Sequence, residues 1–375
     1  MVKVCHLTSV HKRYDTRIYQ KMCRSLAANG YDVTLLVMDD LPEEVKDGVK
    51  IIPVPFCPQN RVDRILNSGK KLFKKALELD CDLYHFHDPE LLSVGLKLKK
   101  YGKKVIYDSH EDYPGQILGK EWIPSIFRRP LSFFFSWYES FVAKRLDGVI
   151  TVAEISKERL SPKVNHLQMI YNYPELISLP DDITKEKNTV IYAGGISSQW
   201  SHEVILKALE HLEDVKYNLL GSGSKSYMEK LSMCPAWNKT FFAGQVPHRE
   251  VFNFMNRSHV GLAILQYSAN TMGKHGTLGN TKLFEYMRMG LPVICTGFDL
   301  WKPIIQKWEC GICVNPDSVE EIADAINYLF SHPEEAKEMG RNGRKAVEEE
   351  FNWDVECEKL LELYAVIINK KNQGK

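Results

Sequence analysis

Residues 271–295 read TMGKHGTLGNTKLFEYMRMGLPVIC. The stretch begins as a loop with three glycines, turns into a helix near Asn280 and ends in a short apolar strand at 292–295. Asn280 is a good N-cap residue, and a glycine-rich loop before a helix presents backbone N–H groups to an anion. A loop, a helix and a strand in this order make up one repeat of an α/β fold.

The same alternation extends in both directions along the chain. Amphipathic stretches predict helices, such as residues 18–28, which end at a capping Asn29-Gly30 pair. Because strands that alternate with helices form parallel sheets covered on both faces, the fold class is α/β and doubly wound. Strands are expected at 2–7, 33–37, 83–86, 105–107 and 149–152, and again at 190–193, 217–220, 241–242, 260–265, 292–295 and 312–314.

Two breaks in this pattern divide the chain into domains. Residues 173–188 (YPELISLPDDITKEKN) carry two prolines and many charges without periodicity, which predicts a linker between a domain at 1–172 and one at 189–353. A last amphipathic helix is expected beyond a second break at 351–353. Two Rossmann-like domains that face each other across a cleft are the simplest architecture, with ligands at the carboxyl ends of the strands.

Composition excludes several classes of protein. The chain has 375 residues, of which 44% are hydrophobic and 26% charged, and this is typical of a globular protein. Lys and Arg total 49 against 48 Asp and Glu, a near-neutral balance that argues against nucleic-acid binding. No apolar run reaches ~18 residues and no signal sequence precedes the first strand, so a cytoplasmic protein is expected.

The cysteines and the charges add two further indications. Nine cysteines are expected to be reduced thiols, and the CxxC at 310–313 lacks the second pair that a zinc site needs. Residues 1–180 hold 27 Lys and Arg against 22 Asp and Glu, a charge of +5, and the remainder holds 22 against 26, a charge of −4. The basic half indicates an anionic acceptor or membrane surface on the N-terminal side.

Residues 120–145 combine eight aromatic side chains with Arg128, Arg129, Lys144 and Arg145. Aromatic and basic residues together are typical of a helix at a lipid interface, so peripheral contact with the inner face of a membrane is one expectation. The alternative is a helix buried against the sheet, with exposed basic ends.

Several motifs resemble family 4 glycosyltransferases, which are retaining enzymes of the GT-B fold. KLFEYMRMGLPVI (282–294) resembles the donor-binding signature of the family, and VIYAGGISS, LLGSGS and FFAGQVPHREVFNFMNRSHVGLAIL are similar to its C-terminal domain. DTRIYQKMCRSLAANGYDVTLL, HFHDPELL and YDSHEDYP resemble the N-terminal domain of a capsule- and lipopolysaccharide-type branch. In such enzymes the last helix crosses back to the N-terminal domain, which implies that role for residues 354–375.

The resemblance implies a set of donor-binding residues. Glu285 matches the glutamate that holds the ribose, and its place one turn inside a helix suits a carboxylate that accepts hydrogen bonds from a diol. Val246 lies where backbone groups contact the base. The other implied donor residues are the turns at Gly194, Gly195, Gly221, Ser222 and Gly223, and the helix start at Asn280 and Thr281. A surface loop with a capped helix and a solvated glutamate is the alternative.

Two departures from the family change what can be carried over. Many relatives have a glutamate eight positions before Glu285, where this chain has Thr277, so backbone amides from Thr277 to Gly279 would hold the sugar hydroxyls. The Arg or Lys that relatives carry after the GG turn is also missing from 197–201 (SSQWS). The charge of a departing diphosphate needs positive partners. The candidates for neutralising it are Lys274, Lys282, Arg13 and Arg17.

The N-terminal domain supplies the candidates for catalysis. His110 matches the position where relatives contact the donor sugar, and Asp88 is expected near the acceptor hydroxyl, where it could orient or accept its proton. Both follow predicted strands. His85 and His87 share one face of a strand, so a structural role is the alternative for them.

The implied activity is sugar transfer from a nucleotide-diphosphate sugar, UDP- or GDP-linked, to a glycan or lipid-linked acceptor, with retention and without a required metal. Surface polysaccharide or glycolipid synthesis is the expected context. The alternatives are another GT-B enzyme, such as an epimerase or a phosphorylase, and a protein that binds nucleotide sugars without turnover. A dinucleotide dehydrogenase is disfavoured because no GxGxxG follows the first strand.

Overall fold

The computed structural model describes residues 1–120, 122–179, 185–268 and 271–369. The chain folds into two compact units, the first formed by residues 1–172 with the chain from Asp354 onward, and the second by Tyr173–Trp353. Residues 180–184 of the expected linker and 370–375 of the expected last helix lie outside the described residues.

The first unit is built on an eight-stranded sheet with the order β3-β4-β2-β1-β5-β6-β7-β8. All neighbours are parallel except β3, which runs antiparallel to β4 at the edge. Its strands are β1 (Lys3–Thr8), β2 (Asp32–Val37), β3 (Glu44–Lys46), β4 (Val49–Pro53), β5 (Leu83–Phe86), β6 (Lys104–Ser109), β7 (Gly148–Thr151) and β8 (Leu167–Met169). Its helices are α1 (Arg24–Ala28), α2 (Arg61–Leu79), α3 (Leu92–Lys100), α4 (Tyr113–Gly119), α5 (Ser125–Ala143) and α6 (Glu154–Leu160).

The second unit has a six-stranded parallel sheet with the order β11-β10-β9-β12-β13-β14. The strands are β9 (Thr189–Ala193), β10 (Lys216–Leu220), β11 (Thr240–Gly244), β12 (Val260–Ala263), β13 (Val293–Thr296) and β14 (Gly311–Val314). The helices are α7 (His202–Glu210), α8 (Lys225–Ser232), α9 (His248–Arg257), α10 (Lys282–Arg288), α11 (Lys302–Trp308), α12 (Val319–Ser331) and α13 (Pro333–Glu349), and the last helix of the chain is α14 (Trp353–Asn369). Two Rossmann-like α/β domains with parallel sheets are therefore confirmed.

Each sheet has one point where the strand order reverses, between β1 and β5 in the first and between β9 and β12 in the second. Loops that leave the carboxyl ends of the strands there diverge to opposite sides and open a crevice, which is where doubly wound folds bind ligands. The residues that follow β1, β5, β9 and β10 are therefore the first places to look for chemistry.

The helix predicted at 18–28 begins earlier and in a different form. The side chain of Asp15 accepts hydrogen bonds from the backbone N–H groups of Arg17 and Ile18, and a π-helix runs over Thr16–Cys23 before α1 continues it. The chain then leaves the helix through Gly30, whose φ of +83° needs a residue without a Cβ.

Helix α5 turns its aromatic side chains outward. Ile126 is 76% exposed, Phe133 68% and Trp137 60%, whereas Glu139 is fully buried and accepts a hydrogen bond from the hydroxyl of Tyr107. Phe135 and Tyr138 of the same helix pack against the core, so α5 buries part of its aromatic surface and exposes the rest. Among the described residues, none of the helices is both long enough and apolar enough to cross a membrane.

Candidate functional site

Two glycine turns meet at the reversal point of the second sheet. Gly194 follows β9 with a φ of +150°, and Gly221 follows β10 with a φ of +130°. A Cβ on Gly221 would lie 1.8 Å from the carbonyl oxygen of Gly194, and one on Gly223 would lie 2.6 Å from that of Ile196. Only glycine fits this contact between the two backbones, so at least part of the glycine pattern serves packing.

A cavity of about 230 Å³ opens beside these turns. It contains five of the predicted donor residues and four that the sequence analysis did not name as site residues. It is lined by Ala193, Gly194, Gly195, Leu220, Gly221, Ser222, Gln245, Val246 and Val251. The carboxyl ends of three neighbouring strands therefore share one concave surface, as a nucleotide site in this kind of fold requires.

Lys282 brings a positive charge to the same place. A Cβ on Gly194 would lie 2.3 Å from Lys282 Cε and 2.7 Å from its Nζ, so the lysine stem packs directly on the glycine. Its Nζ lies 4.4 Å from the ring centroid of Trp200 and 5.7 Å from that of Tyr192. Burial lowers the pKa of Lys282, and the charge of Glu285 opposes this only in part.

No carboxylate in the described part of the chain forms an ion pair with Lys282. A partly buried ammonium without a counter-charge is costly in a ligand-free protein and favours an anionic ligand. The sequence analysis named Lys282 among four candidates, and the structure brings this one to the GG turn.

The other lysine of the glycine-rich loop is placed differently. Lys274 is exposed, and its Nζ lies 5.8 Å from the ring centroid of Tyr267. The loop is pinned by its backbone, since the carbonyl of Lys274 accepts from the N–H of Asp299 and the carbonyl of Thr277 accepts from Trp301 Nε1 at 2.8 Å. These two bonds attach the loop to residues 299 and 301.

The start of α10 differs in detail from the prediction. Thr281 is the N-cap residue, and Asn280 instead accepts a hydrogen bond at 3.2 Å from the backbone N–H of Lys282 through its side chain. The N–H of Gly279 is already bonded to Thr277 Oγ1 at 3.1 Å, which removes one of the amides expected to hold sugar hydroxyls. The reason is that a short polar side chain can accept from the backbone N–H two positions further on, as Thr277 does from Gly279 and Asn280 from Lys282.

Glu285 is half-buried in the first turn of α10. Among the described residues, its carboxylate has one side-chain hydrogen-bond partner, the hydroxyl of Thr281, which lies 3.4 Å from Oε1. Its carboxylate oxygens thus retain the capacity to accept from a diol, and the predicted role of Glu285 in ribose binding stays a prediction.

Asp88 lies at the reversal point of the first sheet, but its carboxylate already accepts hydrogen bonds from the loop after β1. The carboxylate is 1% exposed, and its Oδ2 accepts from the hydroxyl of Thr8 at 2.8 Å and from the N–H of Ser9 at 2.6 Å. Its Oδ1 lies 3.4 Å from His11 Nε2. Direct contact between Asp88 and an acceptor hydroxyl would require the loop after β1 to open, so any role as proton acceptor would have to pass through His11.

His11 and His110 form a pair that the sequence analysis missed. Their ring centroids are 5.1 Å apart in an edge-on arrangement. A hydrogen bond with Asp15 raises the pKa of His11, whereas burial lowers the pKa of His110. Two neighbouring imidazoles with opposite shifts are typical of an acid–base site. The only signal in the sequence was a histidine in the loop after the first strand.

The arginines predicted to contact phosphate are engaged in ion pairs. Arg13 is 5% exposed, and its guanidinium donates to Asp39, Glu44 and two carbonyl oxygens of residues 41 and 42. Arg17 forms a bidentate pair with Asp108 at 2.8 Å for both bonds, and its remaining nitrogen is buried. A phosphate contact by Arg13 would require breaking these bonds, because all five of its donors are in use. Arg17 keeps Nη1 without a hydrogen-bond partner among the described residues, but that nitrogen is buried.

Two groups of side chains come close enough to suggest a metal site. One nitrogen from each of His6, His85 and His87 lies within 4.8 Å of the others, and His87, Asp108 and His110 form the second group. His6 Nδ1 lies 2.9 Å from His87 Nε2, with the ring planes 18° apart and the centroids separated by 5.1 Å. The two nitrogens therefore face each other along one line, which suits a shared proton. A metal needs lone pairs that converge on a third point at about 2.0–2.1 Å.

Comparison with known families assigns both domains. Residues 16–173 match the model for Glycosyltransferase Family 4, and residues 178–346 match the model for Glycosyl transferases group 1. Among curated proteins, spore coat protein SA of Bacillus subtilis is 24% identical over an alignment of 191 residues, which covers 48% of this chain and 48% of that protein. The phosphatidyl-myo-inositol mannosyltransferase of Mycobacterium leprae is 21% identical over 341 residues, which cover 87% of this chain and 85% of that protein.

Solved structures show the same fold over the full length. The HepE protein of Anabaena, in its complex with UDP and glucose, superimposes with a TM-score of 0.73 at 15% identity, covering 98% of this chain and 100% of that one. The chain therefore has the GT-B fold, with a domain over residues 16–173 that matches family 4 glycosyltransferases followed by a domain over residues 178–346 that matches the group 1 glycosyl transferases.

Proposed function

We propose that this protein transfers a sugar from a nucleotide-diphosphate sugar to a hydroxyl of a glycan or lipid-linked acceptor, with retention at the anomeric carbon. The observation that carries the proposal is the unpaired charge of Lys282 against Gly194, beside the cavity at the strand reversal of the group 1 domain. A diphosphate is the ligand that this combination fits best, because it supplies the missing negative charge and can approach a backbone that carries no side chain.

The donor would be read by three groups of residues around the diphosphate. Glu285 would accept hydrogen bonds from the ribose diol, backbone groups near Val246 would contact the base, and the loop from Thr277 would face the sugar. UDP is the first nucleotide to test, since the HepE protein was solved with UDP and glucose. GDP remains the second choice.

Transfer would proceed on one face of the sugar. The bond between the anomeric carbon and the phosphate oxygen breaks, and the acceptor oxygen bonds to the same face. The acceptor proton passes to the departing phosphate oxygen, whose charge Lys282 balances. His110 would hold a substrate hydroxyl through its ring, and this scheme calls on no metal ion.

A membrane surface is the partner that we propose for α5. Its outward side carries exposed apolar residues that a globular protein rarely leaves in water, and Arg145 stacks 3.5 Å from the ring centroid of Phe141 at their edge. Lys144, Arg145 and Lys163 line a cavity with Trp137 and Phe141. Cations beside aromatic rings fit anionic headgroups. The exposed side chains are Ile126, Phe127, Leu131, Phe133, Phe134, Trp137 and Phe141 on the helix and Trp122 just before it.

Vesicle co-sedimentation at low salt tests this surface. We expect the protein to bind vesicles of phosphatidylcholine with about a third phosphatidylglycerol, and the double substitution Phe133→Ser and Trp137→Ser to reduce the bound fraction strongly. Met233→Ser is the matched control, because Met233 is 82% exposed but lies in the other domain. Equal binding by all three proteins would contradict the proposal.

The transfer itself is tested by turnover. The purified protein should hydrolyse or transfer the sugar of one UDP- or GDP-sugar, with the product seen by mass spectrometry. A nucleotide-sugar-binding protein without catalysis is the second candidate, because the first family glutamate is replaced by Thr277 and the GG turn lacks its basic residue. Tight nucleotide binding with no turnover of any donor would favour that candidate.

A further inference from the structure

Two cysteines face each other across β13 and β14 of the second sheet. Cys295 is paired with Cys313 in the register of the two parallel strands, and their Sγ atoms lie 3.9 Å apart. Both are free thiols. Because paired residues of neighbouring strands point to the same side of a sheet, the two sulfurs are in contact without a covalent bond.

The backbone of these strands already has the spacing that a disulfide bond needs. Neighbouring strands lie about 4.7–4.9 Å apart, and the two Cα atoms of a disulfide are usually about 4.4–6.8 Å apart. The sulfurs have to approach from 3.9 Å to about 2.05 Å, a shift that rotation of the two side chains can supply. A bond between Cys295 and Cys313 therefore requires no rearrangement of the sheet.

The two thiols differ in acidity. The hydrogen bond between the two sulfurs, together with burial, holds the pKa of Cys295 well above its ordinary value. The same hydrogen bond lowers the pKa of Cys313, and the charge of Lys302 adds to this effect while burial opposes it. The remaining thiol beside them, Cys310, is buried, and its burial raises its pKa to about 12. Cys313 is thus the sulfur that ionises first, with the S–H of Cys295 as its hydrogen-bond donor.

A cavity beside the edge strand β14 gives access to Cys313. The cavity has a volume of about 600 Å³ and lies between α11 and α13. Cys313, which is half-buried, and Lys302 belong to its lining, whereas Cys295 is fully buried. A partly exposed thiol beside a cation is the setting in which cysteines become reactive. A reagent that enters the cavity therefore meets Cys313 before Cys295.

The charges around the cavity favour a small neutral reagent. Its lining carries the carboxylates of Glu309, Glu335 and Glu338, and Lys302 is the one cation among the described residues there. A surface with this excess of negative charge repels anions. Hydrogen peroxide is neutral and much smaller than the cavity, and it oxidises a thiolate to a sulfenic acid.

We propose that Cys313 is oxidised by hydrogen peroxide and that Cys295 then closes a disulfide bond between β13 and β14. In the first step the sulfur of Cys313 attacks one peroxide oxygen, the O–O bond breaks, and the departing hydroxide takes up a proton to form water. In the second step the sulfur of Cys295 bonds to that of Cys313, the S–O bond of the sulfenic acid breaks, and the hydroxide leaves with the Cys295 proton as water. Overall the two thiols lose two electrons and two protons, and one peroxide becomes two waters.

Peptide mass spectrometry on the full-length protein tests the bond directly. Trypsin cuts after Lys307, so the two cysteines fall into the separate peptides 289–307 and 308–337. After treatment with hydrogen peroxide and alkylation of the remaining thiols, we expect these two peptides to be linked, with the loss of two hydrogen atoms. The test uses neither a donor nor an acceptor, so its outcome is independent of the proposed function. Absence of the link in the treated wild-type protein would overturn the proposal.

Single substitutions separate the two steps. Cys295→Ser removes the second thiol and keeps a donor for the Cys313 sulfur, so the link should be lost and dimedone should trap a sulfenic acid on Cys313. Cys310→Ala should keep the link, although Cys310 lies on the same peptide as Cys313. A link that persists in Cys313→Ala and disappears in Cys310→Ala would assign the bond to the wrong cysteine for this proposal. The link in the wild-type protein decides the question even where a variant does not fold.

Cys234 is the matched control for reactivity. It is half-buried like Cys313 and lies in the same compact unit, but burial raises its pKa. In the Cys295→Ser protein, dimedone should label Cys313 at least about tenfold faster than Cys234 at low peroxide concentration, because the thiolate is the reacting form. Equal labelling rates at the two cysteines would contradict the assignment of Cys313 as the reactive thiol.

Discussion

Replacement of Lys282 by methionine should weaken nucleotide binding without loss of stability. Methionine keeps the length and the apolar character of the stem that packs on Gly194 and below Trp200, and it removes only the charge. Because no carboxylate among the described residues balances that charge, the substitution leaves no buried partner unpaired.

The size of the effect follows from the contact that is lost. A hydrogen bond to a charged group contributes about 1.5–3 kcal/mol, and about 1.4 kcal/mol corresponds to a factor of ten in Kd. The Kd for UDP or GDP should therefore rise by roughly 10- to 100-fold. The melting temperature should stay the same or rise, because the substitution removes the desolvation cost of an unpaired ammonium.

Isothermal titration calorimetry gives the Kd for UDP or GDP of the wild-type protein, of Lys282→Met and of the control variant Lys274→Met. Lys274→Met is matched in chemistry and lies in the adjoining loop, but Lys274 is exposed, so its Kd should change by less than about threefold. Equal affinity of Lys282→Met and the wild-type protein would refute the reasoning. So would an equal loss in both variants, since it would indicate long-range electrostatics rather than a contact.

The lowered pKa of Lys282 also sets a pH dependence. In the unfolded chain the group titrates at its ordinary value of 10.5, and in the folded protein it loses its proton at lower pH. Between these two values the unfolded state binds more protons, so the contribution of Lys282 to the free energy of unfolding rises with pH. Nucleotide affinity should fall across the same window, and Lys282→Met should show neither trend.

Three further substitutions test other parts of the site. Glu285→Gln should raise KM for the donor and lower kcat, so that kcat/KM falls by roughly 100-fold. The reason is the loss of about two charge-assisted hydrogen bonds, and the circular dichroism spectrum should stay unchanged. Gly221→Ala should abolish nucleotide binding and lower the melting temperature, because the new Cβ would lie 1.8 Å from the carbonyl oxygen of Gly194 at a φ of +130°. Gly119→Ala is the control for thermal denaturation, because a Cβ there would meet open space. Arg17→Met should cost about 3–5 kcal/mol in urea denaturation at pH 7, because the buried carboxylate of Asp108 loses its guanidinium partner. Since the folded pKa of Asp108 is low, that stabilisation is present above the ordinary aspartate pKa and is lost as pH falls through the folded value.

The fold was largely predictable from the sequence, because buried parallel strands are apolar on both faces. Leu83–Phe86 was predicted with its exact bounds, and most other strand predictions fall within a residue or two of the structure. The misses are informative. β3 (Glu44–Lys46), β4 (Val49–Pro53) and β8 (Leu167–Met169) were not predicted. β3 and β8 are three-residue strands at the two edges of the sheet, too short to show a periodicity.

The site was predictable only where a family motif carried it. The glycine turns and Lys282 lie together, as the motif implies. The contact of Lys282 with Gly194 depends on the residue at which α10 begins, and Asn280 alone does not predict that residue. The contacts of His11 with Asp88 and His110 could not be predicted, because those partners are far away in the sequence and the sheet order brings them together. Sequence periodicity also left two alternatives open for α5, since a helix that exposes its apolar side has the same spacing as one that buries it.

A crystal structure of the protein soaked with whichever of UDP and GDP binds more tightly tests the central claim most directly. The account predicts that the diphosphate lies against Gly194 with Lys282 Nζ within hydrogen-bond distance of its oxygens, and that the ribose hydroxyls donate to the carboxylate of Glu285. A nucleotide bound away from the carboxyl ends of β9 and β10, or one that leaves Lys282 and Glu285 without contact, would contradict it.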